Sequence, residues 1–333
     1  VQMADNLTID DIAEALGVSK TTVSRAISGK GRISQATTER ILTYINEHNY
    51  KPNVYAQGLA MQKTSNIGVV WPGDSDAGDL PFFQKCLLGI NRAAAQSHYD
   101  LLVSILEGSD ISGIRRIVEN RKADGMILTR TLMEDLSAQY LKESGIPFVA
   151  IGSSLDPDVI CVDNANEKAC CDLTERMLQS GVTRMALIGG PCDHVISGTR
   201  LRGFEKGHAK SGIKPDEKLI HMGVWDMADV ETAFLDVLEE GADALICMDD
   251  GIAEKVLTIC HSRGIQIPKT IRLASFYDSS VLENVFPSVT AIRFDDAALG
   301  EAAADTLIRL LAGEEVHSRT LDNYRIIFRE TFY

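Results

Sequence analysis

Two hydrophobic rhythms divide the chain. Between Thr8 and Ile45 apolar residues recur every three or four positions, the spacing of amphipathic helices: Ile9, Ile12, Ala13 and Leu16, then Val23, Ala26 and Ile27, then Ile41, Leu42 and Ile45. From Asn66 onward the pattern changes to short apolar runs: NIGVVW, DLLVSIL, DGMILT, PFVAIG, RMALIGG, KLIHMG, DALICMD and IRLASF. Amphipathic stretches such as FFQKCLLGINRAAAQSHY, NEKACCDLTERMLQSG and ADVETAFLDVLEEG separate them. Strands alternating with helices predict parallel sheets covered on both faces. Roughly 270 residues are many for one such sheet, so two α/β lobes with a cleft between them are expected. Ligands of such sheets bind at the carboxyl ends of the strands.

The helical segment carries its own punctuation. Thr8 and Asp11 have the spacing of a capping box. Gly17 can take the positive φ of a tight exit, Ser19 caps a second helix, and a third begins near Ser34. On the second helix Thr22, Val23, Ala26 and Ile27 share one side, while Lys20, Thr21, Ser24, Arg25 and Ser28 share the other. Two short helices joined by a glycine turn and clamped by a third predict a helix-turn-helix, whose second helix enters the DNA major groove. Lys20 and Thr21 then face base edges, Arg25 reaches a base or a phosphate, and Ser19 and Ser24 suit phosphates.

Charge sharpens this division. Residues 1–63 hold seven Lys/Arg and six Asp/Glu, whereas the rest holds 26 against 41, within a net charge of −14. A polyanion is tolerated only at the first segment. Seven cysteines, without a C-x-x-C pair, read as reduced thiols rather than disulfides or zinc ligands. No run approaches the roughly 18 apolar residues of a membrane span, and the start VQMADNLTIDD lacks the features of a signal peptide, so a cytoplasmic protein is expected. No G-x-G-x-x-G follows the first strand and no GK[ST] occurs, and Cys192 with His194 makes a thin nucleophile–base claim. Neither an enzyme, a cofactor nor a metal is expected.

The stretch TIDDIAEALGVSKTTVSRAISGKGRISQATTERI, followed by NYKPNVYAQGLA, resembles the lactose/galactose repressor (LacI/GalR) family of bacterial regulators. The resemblance is dense over residues 8–60 and continues more weakly over the body. It implies a helix-turn-helix domain over residues 1–50, a hinge helix and linker over 51–63, and a two-lobe domain like the periplasmic binding proteins over 64–333. Chain crossings are implied near Asp163, Ile292 and Asn323. Lobe one then takes 64–163 plus 293–322, and lobe two 164–292 plus 323–333. It further implies a homodimer on a pseudo-palindromic double-stranded operator, with Asn53, Tyr55, Ala56 and Leu59 of the hinge against the DNA. Leu59 is the wedge between base pairs, an insertion that kinks the duplex. Gly58 within that helix costs about 0.5–1 kcal/mol relative to Ala, so the hinge is expected to order only on the operator. The chain stops at Tyr333 without a leucine-heptad tail, so nothing suggests assembly beyond a dimer.

For the effector the resemblance implies Asp74, Phe82, Phe83, Arg200, Trp225, Asp249, Tyr277 and Phe294. Packing competes for the two Phe rings, and one is expected to fill the core. Arg200, placed at the opening of a helix, offers a planar fork for a diol or carboxylate. For Trp225, stacking on a ligand and packing in the protein both stay open. Asp250 is expected to stabilise the helix that follows it, with Asp249 facing the effector. Gly152, Tyr277 and Phe294 stand where relatives carry polar ligands, Gly152 and Tyr277 in place of Asp. The exchange of hydrogen-bonding groups for space and aromatic surface points to a carbohydrate with a flatter or more apolar part, such as a glycoside. The expectation is a repressor controlled by that ligand. A sugar-binding protein of transport shares such a body but leaves residues 1–62 without a role.

Overall fold

Side-chain caps set the first three helices. In a computed structural model describing residues 7–29, 31–48, 50, 63–73, 80–224 and 226–333, these are α1 (Ile9–Leu16), α2 (Lys20–Ser28) and α3 (Gln35–Glu47). Thr8 accepts from the Asp11 amide while Asp11 accepts from the Thr8 amide at 2.7 Å, completing the box. Gly17 ends α1 at φ 62°, and Ser19 and Ser34 cap α2 and α3. Ile12, Val23 and Ile41 are fully buried between the helices, and Arg40 Nη2 donates to the Leu16 carbonyl at 2.6 Å, tying α3 to the end of α1. Leu42 departs from expectation: it is 41% exposed. Ile41 and Ile45 occupy the inward line of α3, and Leu42 lies about 100° further round, outside the contact.

Residues 1–64 and 65–333 form separate compact units. The second contains two six-stranded sheets. The first sheet is built from β1 (Asn66–Pro72), β2 (Asp100–Leu106), β3 (Gly125–Leu128), β4 (Phe148–Ile151) and β5 (Cys161–Asn164). The second takes β6 (Met185–Ile188), β7 (Ile220–His221), β8 (Ala244–Cys247), β9 (Arg272–Ser275) and β10 (Thr290–Arg293). Two late strands go one to each: β11 (Arg319–Leu321) joins β5 in parallel, and β12 (Arg325–Ile327) joins β10 antiparallel. The orders are β11-β5-β4-β3-β1-β2 and β12-β10-β9-β8-β6-β7. The chain therefore passes between sheets after Asn164, after Arg293 and between Leu321 and Arg325. KLIHMG yields only the two residues of β7, because Glu217–Leu219 forms a 3₁₀ turn capped by Asp216.

Nine further helices cover the sheets among the described residues: α4 (Leu80–Gln96), α5 (Ser112–Glu119), α6 (Leu136–Ser144), α7 (Asn166–Gln179), α8 (Val195–Lys210), α9 (Met227–Glu239), α10 (Asp250–Arg263), α11 (Ser280–Asn284) and α12 (Asp296–Leu311). On one face of the first sheet α4 and α12 pack together with Ile67, Val69, Ile127 and Val149 beneath them. Their contact is backbone to backbone: a Cβ on Gly89 would overlap the Ala297 carbonyl, and one on Gly300 the Cys86 carbonyl.

Among the hydrogen bonds that join the lobes beside the crossings, three are direct ties between facing elements. The Met133 amide donates to the Asp193 carbonyl at 2.7 Å, and the Val195 amide to the Thr131 carbonyl at 3.3 Å. The third is buried: Tyr277 Oη, after β9, donates to Asp296 Oδ2 at 2.8 Å, with Lys85 Nζ of α4 at 3.5 Å from the same oxygen. Burial pushes the Asp296 carboxyl up to about 6, and the Tyr277 hydroxyl and Lys85 pull against it.

Two outcomes follow from this packing. Gly300→Ala forces α4 and α12 apart and lowers stability by about 1–3 kcal/mol; denaturant unfolding at an unchanged midpoint would sink the backbone-contact account. Asp296 holds its proton more tightly folded than unfolded, where its ordinary value is 3.8. Its contribution to stability is therefore fully present below about pH 4 and declines as pH rises to about 6, reaching a cost of about 3 kcal/mol at neutrality. In thermal unfolding from pH 4 to 7, Asp296→Asn gains on the wild type across that window and stays level above it; parallel profiles would contradict the assignment.

Candidate functional site

On α2 the caps orient a polar face. Lys20, Thr21, Ser24 and Arg25 are exposed, while Val23 and Ala26 turn inward. Lys20 Nζ lies 2.6 Å from Asp10 Oδ1 of α1. The Arg25 side chain folds over Gly31, near enough that a Cβ there would come 3.1 Å from Arg25 Cδ. Ser19, expected at a phosphate, is engaged locally: its Oγ accepts from the Thr22 amide at 3.1 Å and bonds Thr22 Oγ1 at 2.8 Å. Asn53, Tyr55, Ala56 and Leu59 lie outside the described residues, as do Asp74 and Trp225.

In the second unit the carboxyl ends of the strands from both sheets meet at one cleft. Thr129 and Thr131 follow β3, Gly152 follows β4, Asn164 ends β5, Asp249 follows β8, Tyr277 follows β9 and Phe294 follows β10. The cleft encloses about 190 Å³, well over ten times the ~10–15 Å³ that one water occupies on this measure. Phe82, Phe83, Arg200, Asp249, Tyr277 and Phe294 all line it.

Their geometries separate the roles. Phe83 is 5% exposed and lies 5.8 Å from Trp71, so it is the ring that fills the core. Phe82 bridges edge-on to Phe83 at 5.1 Å and to Tyr277 at 5.9 Å. Arg200 lies in the second turn of α8, which begins at Val195 rather than at Arg200. Its Nη1 donates to the Met248 carbonyl at 2.7 Å, and its guanidinium sits 6.0 Å from the Tyr277 ring centre. Asp249, expected to face the effector, caps α10 by accepting from the Ile252 amide at 2.8 Å. The capping role thus belongs to Asp249, because the chain is still extended there and turns helical only at Asp250, which is buried. Gly152 has φ 100°, and a Cβ there would meet Thr131 Oγ1 at 3.2 Å, so the space beside Thr131 belongs to the cleft.

The sequence reading missed the end of β5. Asp163 accepts from Ser153 Oγ at 2.6 Å, the Asn164 amide at 2.7 Å and Asn166 Nδ2 at 2.9 Å. Burial raises its carboxyl above the usual range; these donors and the charge of Arg200 act the other way. Asp163 thereby fixes the backbone at Asn164 and the side chain of Asn166. Among the buried polar atoms of the cleft wall without a hydrogen-bond partner in the described residues are Arg200 Nε and Asn164 Oδ1. One is a donor and the other an acceptor, and both stand ready for a ligand. The signal that could have located them is the CVDN run read as a strand.

One acidic group has metal-ligand spacing, Cys171, Asp172 and Glu175 on α7. Lys210 Nζ lies 3.7 Å from Asp172 and 3.4 Å from Glu175, so a cation of the protein itself occupies that place. Among the described residues no helix is long and apolar enough to cross a membrane.

Comparison with known proteins agrees with both units. Residues 8–53 match the model of bacterial regulatory proteins of the lacI family, and residues 174–332 match the periplasmic binding protein-like domain. The HTH-type transcriptional regulator MalR of Streptococcus pneumoniae is 32% identical over 293 residues, which cover 83% of this chain and 89% of that protein. A transcriptional regulator CelR–cellobiose complex superposes with a TM-score of 0.72 at 25% identity over 98% of this chain and 99% of that one. The fold is also that of the lac repressor dimer bound to operator and the anti-inducer ONPF, with a TM-score of 0.79 at 23% identity over 98% and 99% of the two chains. The chain belongs to the LacI family of bacterial transcriptional regulators.

Proposed function

We propose that this regulator is a cytoplasmic, homodimeric repressor whose effector is a carbohydrate with a flat or apolar part, bound between the lobes and released unchanged. One observation carries the reading. Arg200 Nε and Asn164 Oδ1 stand in the wall of a cleft that the rings of Phe82, Tyr277 and Phe294 also line. A sugar supplies hydroxyls that both accept and donate, and its apolar face or aglycone suits rings. The likeness to a cellobiose-bound regulator supports the ligand class.

At the operator Lys20 and Thr21 read bases, Arg25 contacts a base or phosphate, and Ser24 and the amino end of α2 hold the backbone. Ser19 serves chiefly as the cap that aims them. Asn53, Tyr55, Ala56 and Leu59 form the minor-groove contact. Regulation is a population shift: an effector favouring one lobe arrangement changes DNA affinity only by its differential affinity for the two arrangements, and DNA changes effector affinity by the same factor.

Arg25→Ala weakens operator binding by about 1–3 kcal/mol and relaxes preference at the bases it meets. Wild-type binding falls linearly with log salt; salt-independent binding in a mobility-shift titration would remove the groove-docking account. A thermal-shift series with cellobiose, maltose and aryl glucosides tests the cleft. A ligand at about 100 times its Kd stabilises by about 2.7 kcal/mol, and Arg200→Ala abolishes most of that shift. An undiminished shift in the variant would place the ligand elsewhere.

A further inference from the structure

The first turn of α1 carries two carboxylates, and only one serves the helix cap. Asp11 closes the capping box with Thr8. Asp10 instead points to the start of α2, where its Oδ1 meets Lys20 Nζ at 2.6 Å, with the two side chains 56% and 69% exposed. An exposed ion pair of this kind contributes little to folding. Its position says more, because Lys20 is the first residue of the helix whose amino end faces base edges.

We propose that Asp10 is a specificity-determining residue, and that Asp10 and Lys20 together read one G·C pair in each half-operator, Lys20 on the guanine and Asp10 on the cytosine. The inference rests on α2 being the DNA-reading helix. An ammonium has three donors, and one goes to Asp10; an ionised carboxylate has about four acceptor sites, and one goes to Lys20. The pair therefore keeps two donors beside several acceptors. In the major groove guanine offers N7 and O6 as acceptors and cytosine offers its N4 amine as donor. O6 and N4 are joined by the base pair's own hydrogen bond, so they stand about 2.9 Å apart, close to the 2.6 Å between Asp10 and Lys20. Lys20 can span N7 and O6 while Asp10 accepts from N4. On A·T, adenine N7 and thymine O4 are split by a donor, and the thymine methyl flanks O4. The ammonium then loses its second acceptor or faces an apolar group. Asp10 also penalises misplacement, since its carboxylate repels phosphates wherever Lys20 meets only the backbone.

Selection by the full-length, effector-free chain from randomised double-stranded DNA tests this. The position read by Lys20 is the one whose preference Lys20→Ala erases, and wild type selects G·C there. Asp10→Ala keeps sequence-selective binding but lowers the preference for G·C at that position by roughly 10- to 100-fold, leaving preferences elsewhere in the half-site intact. A·T at the Lys20 position, an unaltered preference in Asp10→Ala, or binding tightened equally on all sequences would each overturn the pair while leaving the helix-turn-helix reading standing. Enrichment of no sequence by the wild type would overturn the DNA-reading role of α2 itself.

Discussion

The three passages of the chain between the two sheets constrain everything that happens in the body. Each sheet ends in a strand from the last part of the chain, β11 on the first and β12 on the second, so neither lobe is completed by one continuous segment. Lobes tied in this way can hinge but not separate, and the strands of both sheets deliver their carboxyl ends to the same gap. The cleft is therefore a consequence of topology before any side chain is considered. Tyr277 and Asp296 add chemistry to this constraint. One follows β9 and the other starts α12, on either side of the second passage, and their buried hydrogen bond ties one lobe to the other. Asp296 then reaches Lys85 on α4, whose backbone contact with α12 leaves little room for independent movement.

Charge divides the molecule along the same boundary as the fold. The first 63 residues carry a small positive excess, while the remainder is strongly acidic. Such a distribution disfavours DNA on most of the surface and leaves the first unit as the tolerated contact. The effect is screened beyond about 8–10 Å at ordinary ionic strength, so it does not by itself select a DNA sequence.

Much of this was legible because it is encoded locally. Thr8, Asp11, Gly17, Ser19 and Ser34 punctuate α1 to α3 within a few residues of each helix end, and the apolar runs of β1 to β4 announce strands. What escaped depended on tertiary context. CVDN and TAIR became strands because neighbours paired with them, and three-residue β11 and β12 carry no periodicity of their own. Since β5 was not recognised, Asn164 at its carboxyl end was not sought. The order of Asp249 and Asp250 turned on where the helix begins, and Leu42 on a rotation of 100°. Arg200 and the aromatic wall came from resemblance; periodicity alone does not distinguish them from core or surface.

The cleft's carboxylates bear on the kind of ligand it accepts. Asp249 is committed to the α10 cap and Asp163 to three donors. Gly152 and Tyr277 bring no acid to the cleft, and Asp296 lies behind the wall, where it accepts the phenol's proton in a hydrogen bond. Tyr277 thus turns a ring, rather than its donor, toward the cleft. Arg200 Nε and Asn164 Oδ1 are buried polar atoms of that wall without a partner among the described residues. A highly hydroxylated ligand fixed by a ring of carboxylates would find few of them available. A ligand that satisfies Arg200 Nε and Asn164 Oδ1 and lays an apolar face against Phe82, Tyr277 and Phe294 meets both kinds of surface in that wall, and burying polar atoms without partners is what such a site must avoid.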